Sequence, residues 1–304
     1  MPTIHALRTP DDRFVELPDF PFPPQYAEDL PGYEGLRAHY LDLGPRDAPH
    51  TFLCLHGEPD WCYLYRKMIP VLLESGARVI APDFFGFGRS DKPARLEDYS
   101  FQFHRNFLLR LVERLDLRFI TLVVADWGGI LGLTLPADLA FRSRLKRLVV
   151  MNTMLAVGNP LGEVFANWVE FVRSTPDLSP GMLIKQSEPY LTDAEAAAYD
   201  APFPDSSYKA GVRAFPPLVM VAPDMEGVAE SKAAADYWRT QWDGQSFMAI
   251  SDGDPFTDLV AEMAALHSQI RGCPEPMRVQ GAGHYVQEQG EQVARAALRS
   301  FGDL

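Results

Sequence analysis

One segment, residues 119–135, constrains this chain more than any other. An apolar, β-branched run ends at Ala125, and Asp126-Trp127-Gly128-Gly129 leads at once into a helix-forming stretch. A strand that turns sharply into a helix holds one side chain out at the turn, and here that side chain is a carboxylate. A carboxylate is a nucleophile without help from a base, and its attack on carbon gives an ester. The segment therefore predicts a strand–turn–helix unit and a substrate with an electrophilic sp3 carbon rather than a carbonyl.

The segments around this turn alternate between predicted strands and helices. The pattern predicts strands, and helices between them, at 36–44, 51–57, 66–76, 77–83, 101–117, 119–125 and 145–152, and again at 246–254, 256–270, 275–284 and 290–301. Alternation of this kind implies parallel pairing and a doubly wound sheet. Between the two series, residues 155–228 are dense in Pro, Met, Tyr and Trp and contain helix-like pieces without a convincing strand.

The interruption predicts a helical cap inserted into an α/β core, after the strand that ends near Asn152. The expected division is a first part of the core at 1–154, the cap at 155–228, and a second part of the core at 229–304. Because ligands bind outside the carboxyl ends of the strands in open α/β sheets, the cap is expected to cover the site.

Composition excludes several classes of function. The net charge is −13, which argues against nucleic acid or an anionic membrane as a partner. No secretory leader and no membrane-spanning run is visible, so a cytoplasmic protein is expected. The three cysteines, Cys54, Cys62 and Cys273, are too scattered for a zinc site or a disulfide framework.

A second catalytic candidate, His284, follows the last predicted strand. The α/β-hydrolases carry their triad in the chain order nucleophile, acid, histidine, and the elbow G-x-S-x-G usually supplies serine where this chain has Asp126. His284 is expected to deprotonate a water that attacks the alkylated Asp126. The acid that orients His284 is expected in the loop after residues 246–251, with Asp254 favoured, Asp252 as the competitor, and Asp258 more typical of a helix start.

Negative charge on the ester oxygen requires hydrogen-bond donors that are already in place. The backbone N–H of Trp127 lies at the predicted start of a helix and is one candidate donor. The second candidate is the backbone N–H of Glu58, in the turn His56-Gly57-Glu58-Pro59. Phe165, Phe215 and Pro216 are expected to line an apolar cavity beneath the cap.

Taken together, these motifs resemble the haloalkane dehalogenases of the α/β-hydrolase superfamily. The resemblance runs from about residue 8 to residue 301 and rests on the segments LCLHGEPDWCYLYRKMIPVL, PDFFGFGRSDKP, VADWGGILGLTLP, APFPDSSYKAGVRAFP, FMAISDGD and GCPEPMRVQGAGHYVQEQGEQVA. The chain is most similar to the subfamily with Glu after His-Gly and with the triad acid after the later strand.

The resemblance implies hydrolysis of a carbon–halogen bond to alcohol, halide and a proton, through a covalent alkyl ester of Asp126. It implies that the indole N–H groups of Trp127 and Trp168 hold the departing halide. It also implies that the Glu58 side chain holds the hydrolytic water or orients its turn. The expected partners are a small apolar halogenated substrate, water and halide, without a metal or an organic cofactor.

An alternative interpretation is an epoxide hydrolase, which shares the Asp nucleophile and the histidine. That enzyme needs an acid for the epoxide oxygen, usually a cap tyrosine, and Tyr190, Tyr199 and Tyr208 are the candidates. A non-catalytic ligand-binding protein of the same fold would carry a damaged triad, whereas Asp126, His284 and an acidic loop are all present. Trp61, Trp238 and Trp242 are expected to pack in the interior rather than bind halide.

Overall fold

The fold is built on strands whose carboxyl ends converge at one edge of a single large sheet. The computed structural model describes residues 4–255 and 257–304, with the side chains of 257–259 left out. In that part of the chain the strands are β1 (Ala6–Leu7), β2 (Gln25–Ala27), β3 (Ala38–Leu43), β4 (Thr51–Leu55), β5 (Arg78–Pro82), β6 (Lys92–Pro93), β7 (Ile120–Ala125), β8 (Leu145–Met151), β9 (Gln245–Ser251) and β10 (Met277–Val279).

Eight of these strands form the main sheet, in the order β10-β9-β8-β7-β4-β5-β3-β2. The six strands from β10 to β5 pair in parallel, and β3 and β2 add an antiparallel edge. The expectation of a mostly parallel sheet in the α/β-hydrolase fold is confirmed. β4 and β7 are buried along their whole length, as expected for central strands covered on both faces.

Helices cover the sheet and supply the cap. They are α1 (Ile69–Glu74), α2 (Phe101–Arg114), α3 (Asp126–Gly132), α4 (Leu139–Arg144), α5 (Glu163–Ser174), α6 (Pro180–Ser187), α7 (Asp193–Asp200), α8 (Ala210–Ala214), α9 (Val228–Thr240), α10 (Thr257–Gln269) and α11 (Gly290–Phe301). Local sequence explains several of the starts: the Ser100 hydroxyl caps α2, and Thr192 and Glu195 form a reciprocal capping box on α7.

The chain between β8 and β9 carries α5 to α8 and then α9, which packs on the core. The Trp238 indole N–H of α9 donates to the Leu133 carbonyl over 2.8 Å, next to the end of α3. The predicted cap, residues 155–228, therefore contains α5 to α8, and its exact boundaries stay a prediction.

A buried ionic cluster joins the cap to the core, and we call it the junction (Arg66, Lys67, Glu195, Tyr199 and Glu288). The Arg66 guanidinium donates to both Glu288 oxygens, over 2.6 and 2.8 Å, and to Glu195 of α7 over 2.8 Å. Lys67 lies 2.8 Å from Glu288 and 3.2 Å from Glu195, and the Tyr199 hydroxyl donates to Glu288. Two carboxylates, one from each side, thus share the same two cations.

Within the described residues, the helices are too short or too polar to cross a bilayer. Asp258, considered in the sequence as a helix start, has a side chain outside those that the structure describes.

Candidate active site

Asp126 occupies a strained turn between β7 and α3, which we call the elbow. Its φ is +46°, a conformation that residues other than glycine rarely adopt. The surrounding chain holds it there: the Asp126 N–H donates to the Asn152 carbonyl over 2.9 Å, and the Thr153 hydroxyl donates to the Asp126 carbonyl over 2.6 Å. The elbow therefore projects the Asp126 carboxylate beyond the edge of the sheet, as the sequence predicts.

The first turn of α3 lies directly against the end of β4. A Cβ atom on Gly128 would stand 2.0 Å from the Leu55 carbonyl oxygen, a distance that no side chain can occupy. Glycine at this position is what lets the helix start close to the sheet and beside the turn that carries Glu58.

The imidazole of His284 lies between two carboxylates. Its Nδ1 is 2.8 Å from Asp254 Oδ2, and its Nε2 is 3.4 Å from Asp126 Oδ2. Asp252, the competing candidate, is exposed and accepts the Gly281 N–H instead. The structure thus brings Asp126, His284 and Asp254 together and leaves Asp252 outside the group.

The two carboxylates govern the protonation of His284. Burial alone would lower the pKa of this imidazole, but the charge of Asp254 and the hydrogen bonds to Asp126 and Asp254 outweigh it and raise the pKa well above its usual value. Before any reaction the two carboxylates therefore favour the protonated form of the imidazole.

The turn after β4 meets the carboxylate of Asp126 from the opposite side. The Glu58 N–H donates to Asp126 Oδ1 over 2.8 Å. Trp127 is the second residue of α3, so its own N–H lacks a partner inside the helix. Of the two backbone donors expected from the sequence, the Glu58 N–H contacts the Asp126 carboxylate directly, and the Trp127 N–H lies in the first turn of α3, next to Asp126 in the chain.

The Glu58 side chain is buried beside the triad. Burial raises the pKa of Glu58 well above its usual value, and the negative charges of Asp126 and Asp60 raise it further. The surroundings consequently favour the neutral form of this carboxyl group. Its Oε1 is buried and accepts no hydrogen bond from the part of the chain that the structure describes.

A cavity of about 370 Å³ opens above Asp126, between the cap and the core. Trp127, Trp168, Phe165 and Pro216 line it, together with Glu58, Asp126, Ile130, Met154, Leu161, Val164, Leu183, Gln186, Ser187, Val219, Gly253, Pro255, Glu262, His284 and Tyr285. The lining is mainly apolar, and the carboxylate of Asp126, the Glu58 carboxyl and the His284 imidazole are among its polar groups.

One predicted lining residue, Phe215, does not reach the cavity. It is fully buried and packs edge to face on the Trp127 indole, with ring centroids 4.7 Å apart. The adjacent Pro216 takes the lining position, because the chain turns into a short 3-10 helix there and successive side chains point in different directions. Phe215 therefore supports Trp127 from behind.

Comparison with known proteins agrees with this geometry. A family model described as alpha/beta hydrolase fold matches residues 50–291. A haloalkane dehalogenase of Psychrobacter cryohalolentis is 45% identical, with 98% of each protein covered, and one of Mycolicibacterium paratuberculosis is 40% identical over 97% of this chain and 98% of that protein. The tetrameric structure of haloalkane dehalogenase DpaA from Paraglaciecola agarilytica NO2 is 49% identical, covers 98% of this chain and 99% of its own, and superposes with a TM-score of 0.95.

The chain belongs to the haloalkane dehalogenases. It is thus a hydrolase that acts on carbon–halide bonds, as the sequence motifs predict. The roles of its individual residues follow from the geometry and are argued under the proposed function.

The remaining tryptophans of this haloalkane dehalogenase use their indole N–H groups inside the protein. Trp61 donates to the Ala198 carbonyl over 3.2 Å, and Trp242 donates to the Ser246 hydroxyl over 2.9 Å. Trp238 of α9 donates to the Leu133 carbonyl, as described above. All three are fully buried, which fits the packing role expected for them.

The three tyrosines considered for an epoxide hydrolase lie away from the cavity of this haloalkane dehalogenase. Tyr199 is buried against Glu288 in the junction, and Tyr190 donates to Glu188 over 2.8 Å. Neither they nor Tyr208 are among the described residues that line the cavity. No cap tyrosine of this set is in a position to protonate an epoxide oxygen.

Sequence reasoning missed two cap residues, Ser187 and Glu188, that contact the backbone around His284. It also missed Asn152 as a contact of the same loop, because the sequence marks that residue only as the end of a predicted strand. Asn152 Nδ2 donates to the carbonyl groups of Gly283 and His284, over 3.2 and 2.9 Å. A Ser-Glu pair at the end of a helix is common in protein sequences, so the pair alone does not predict a contact with the backbone around His284.

One buried group among the described residues has atoms of the types that bind metal ions. His39, Cys62 and Asp83 place them within 4.8 Å of one another. Asp83 already accepts from His39 Nδ1 over 2.7 Å and from the backbone N–H groups of Cys62 and Arg89 over 2.9 and 2.8 Å. These bonds account for the group as a buried hydrogen-bonded cluster that shapes the turn after β5.

Proposed function

We propose that this enzyme hydrolyses small apolar haloalkanes in two steps, through a covalent ester on Asp126. The observation that carries the proposal is a carboxylate, held at a strained elbow, at the floor of an apolar cavity and within reach of a histidine. An apolar cavity favours a substrate that has no charge to desolvate.

The first step is an in-line displacement at carbon. The Glu58 N–H holds Oδ1 of Asp126, so Oδ2 is the oxygen that attacks. A C–O bond forms as the carbon–halogen bond breaks, and the halogen leaves with the bonding electrons. The indole N–H groups of Trp127 and Trp168 stabilise this halide, because indole is a donor without a competing acceptor in a nearly dry pocket.

The second step is hydrolysis of the ester. His284 removes a proton from water, and the resulting hydroxide adds to the ester carbonyl carbon. Negative charge then develops on Oδ1, where the Glu58 and Trp127 N–H groups stabilise it. Collapse expels the alkoxide, which takes the proton from His284 and leaves as the alcohol, and the carboxylic acid formed on Asp126 releases the remaining proton to regenerate the carboxylate. The sum is haloalkane plus water giving alcohol, halide and a proton.

The protonation of His284 fits this order of events. In the free enzyme the ionised Asp126 helps to raise the pKa of His284. Once Asp126 is an ester its charge is gone, so this contribution disappears and the pKa of His284 falls. Alkylation itself therefore converts the imidazole into a base when a base is needed, while Asp254 keeps its orientation.

Glu58 supplies a side chain for the hydrolytic water. Its buried carboxyl is neutral and its Oε1 is unsatisfied by the described protein groups, next to both Asp126 and His284. A water hydrogen-bonded to this carboxyl would lie in the region between the ester and the imidazole. A halide-binding role for the Glu58 carboxyl is not required, because two indoles are present.

Trapping the ester tests the proposed mechanism. Replacement His284→Phe keeps the alkylation step and removes the base, so 1-bromobutane should release one equivalent of bromide and leave a stable mass increase on the protein. Replacement Asp126→Asn should give neither bromide nor adduct. Normal turnover by the His284 variant would overturn the mechanism, and the adduct should map to the peptide that contains Asp126.

Substrate choice separates this function from the epoxide hydrolase. We expect bromide release from 1,2-dibromoethane and 1-bromobutane, and no diol from styrene oxide at the same enzyme concentration. Diol formation without halide release would favour the epoxide hydrolase instead.

A cytoplasmic location, expected from the sequence, stays a prediction, which cell fractionation would test.

A further inference from the structure

The cap holds the backbone of the loop that carries the catalytic histidine. We call residues 283–285 (Gly283-His284-Tyr285) the histidine loop. Ser187 Oγ accepts the His284 N–H over 2.8 Å, and the two oxygens of Glu188 accept the N–H groups of Gly283 and Tyr285, each over 3.0 Å. Three consecutive backbone donors of the core are thus bound by two consecutive residues of the cap.

The carboxyl group of Glu188 accepts four hydrogen bonds. It is fully buried, and besides the two backbone N–H groups it accepts from the Tyr190 hydroxyl over 2.8 Å and the Ser187 hydroxyl over 3.1 Å. Each oxygen therefore receives one backbone donor and one hydroxyl donor. Four donors to one carboxyl group give the contact a fixed geometry.

The core holds the other side of the same loop. Asn152 donates to the Gly283 and His284 carbonyls, while its own backbone carbonyl accepts the Asp126 N–H. The carbonyl groups of the histidine loop are therefore fixed relative to the elbow, and its N–H groups are fixed relative to the cap.

The contact between cap and loop leaves no room at Gly283. A Cβ atom there would lie 2.3 Å from both the carbonyl and the hydroxyl oxygen of Ser187, and 2.6 Å from Glu188 Oε1. Gly283 therefore allows the cap to approach the histidine loop, because any side chain at this position would collide with Ser187 and Glu188.

We propose that Ser187 and Glu188 are positioning residues for His284. The cap, through these two side chains, sets where the imidazole stands between Asp254 and Asp126. This inference rests on the proposed function, in which His284 acts on water in the second step and has no bond to make or break in the first. Loss of the contact should therefore slow hydrolysis of the ester and spare alkylation of Asp126.

Replacement Glu188→Gln tests the proposal. The amide offers one acceptor oxygen, so its NH2 group must face a backbone N–H of the histidine loop and push it away. With 1-bromobutane we expect the burst of bromide to keep its rate within about twofold, and ester hydrolysis to slow by about 10-fold or more, since small displacements of a reacting group cost up to about 100-fold. Rapid-quench kinetics with intact-protein mass spectrometry would show the alkylated enzyme accumulating.

A role limited to stability would give a different result. If Glu188 only stabilised the fold, the melting temperature would fall while both rate constants stayed in their original ratio, and the proposal would be overturned. Ser187→Ala, which removes the acceptor of the His284 N–H and one of the four donors to Glu188, should produce the same imbalance to a smaller extent and carries the test if Glu188→Gln does not fold. Glu170→Gln, an exposed cap carboxylate paired with Arg173, is the matched control and should leave both steps unchanged.

The His284→Phe and wild-type enzymes separate this inference from the proposed mechanism. If His284→Phe fails to trap the ester, the mechanism itself is wrong. If His284→Phe traps it but both the Ser187 and Glu188 variants hydrolyse it at the wild-type rate, only the positioning role is wrong.

Discussion

At the scale of single residues, the site sets two neighbouring carboxyl groups to opposite uses. Asp126 accepts a backbone N–H and faces the imidazole of His284. Glu58 supplies that N–H, yet burial of its own side chain beside negative neighbours raises its pKa and favours the neutral form. In the proposed mechanism one carboxyl is the nucleophile and the other a hydrogen-bonding group for water, and their environments distinguish them.

A neutral Glu58 has a measurable effect on stability. Its pKa is raised in the folded state, so as pH rises above the usual glutamate value near 4.5 the unfolded chain releases a proton that the folded chain retains. Folding therefore loses stability with rising pH, by at most about 1.4 kcal/mol per pH unit, until the folded-state pKa is reached. Glu58→Gln does not titrate, so its free energy of unfolding relative to wild type should increase from pH 5 to pH 8.

Urea unfolding at several pH values would measure this difference. Glu291→Gln, which changes a surface carboxylate paired with Arg295, provides the control and should show no comparable trend. A difference between Glu58→Gln and wild type that is constant with pH would mean that the Glu58 carboxyl is ionised in the folded protein.

The residues of the site were predictable to the extent that local chain geometry decides their place. Asp126 and His284 follow directly from a strand–helix turn and from the loop after the last strand. Asp254 and Asp252 share one loop, and only the fold decides that the first meets His284 while the second turns to Gly281. Phe215 was misplaced because adjacent residues in a tight turn face different ways, which sequence spacing cannot resolve.

At the scale of elements, the elbow works because α3 starts against β4. The close approach at Gly128 brings the helix N-terminus beside the turn that follows β4, and this places the Glu58 N–H within 2.8 Å of Asp126 Oδ1. The packing of one helix turn on one strand end thus determines where the backbone donors stand.

Two glycines of α3 should differ sharply when replaced by alanine. In Gly128→Ala the new Cβ would stand 2.0 Å from a backbone oxygen of β4, so a central strand or the helix must move. In Gly132→Ala the nearest atoms, at 2.8 and 2.9 Å, are methyl groups of Val124 and Leu55, which rotate or shift more cheaply. Because alanine favours the helix by about 1 kcal/mol at either position, propensity cancels from the comparison.

We expect Gly128→Ala to lower the free energy of unfolding by about 3 kcal/mol or more and to abolish halide release, and Gly132→Ala to cost clearly less. Urea denaturation and soluble yield would check the order. Equal effects of the two substitutions would contradict the close contact between α3 and β4.

The elements themselves were largely readable from periodicity. The predicted strand at 36–44 corresponds to β3 at Ala38–Leu43, and the predicted strand at 145–152 to β8 at Leu145–Met151. The predicted strand at 275–284 shrinks to β10, Met277–Val279, because most of that segment forms the histidine loop and its approach. Apolar content predicts a strand, but the length of β10 also depends on tertiary contacts, because the backbone N–H groups of the histidine loop bind the cap instead of a neighbouring strand.

At the scale of the whole molecule, the junction binds the cap to the core by charge. Arg66 is fully buried and bonded to Glu288 of the core and Glu195 of the cap. Burial would raise the pKa of Glu195, but the Thr192 N–H and the Arg66 guanidinium outweigh it and lower the pKa to about 2. The lowered pKa ties the attachment of the cap to the ionisation of this group.

Stability from Glu195 should therefore be lost in acid. It is fully present above the usual value of 4.5 and disappears as the pH falls toward about 2. Glu195→Gln keeps a group that can cap α7 but cannot ionise, so it should be less stable than wild type at pH 7 and approach it as the pH falls to 3. Glu113→Gln, from an exposed pair with Arg110, should stay parallel to wild type.

Urea midpoints at pH 7, 5 and 3 would measure this convergence. Wild-type and Glu195→Gln curves that stay parallel across that range would contradict an ionised Glu195 in the junction. The sequence did not predict this cluster, since its members come from three separate segments that only the tertiary fold brings together.

The hydrogen bonds from the histidine loop to Ser187 and Glu188 limit which caps the core can accept during evolution. A cap exchanged with that of a relative would bring new cavity walls, but it would also remove the acceptors for three backbone donors of the core. Chimaeras should therefore keep activity only when the end of α6 and the glycine before the histidine are inherited together. Exchange of the cap therefore changes the shape of the cavity and the support of His284 together, and the two cannot be altered independently.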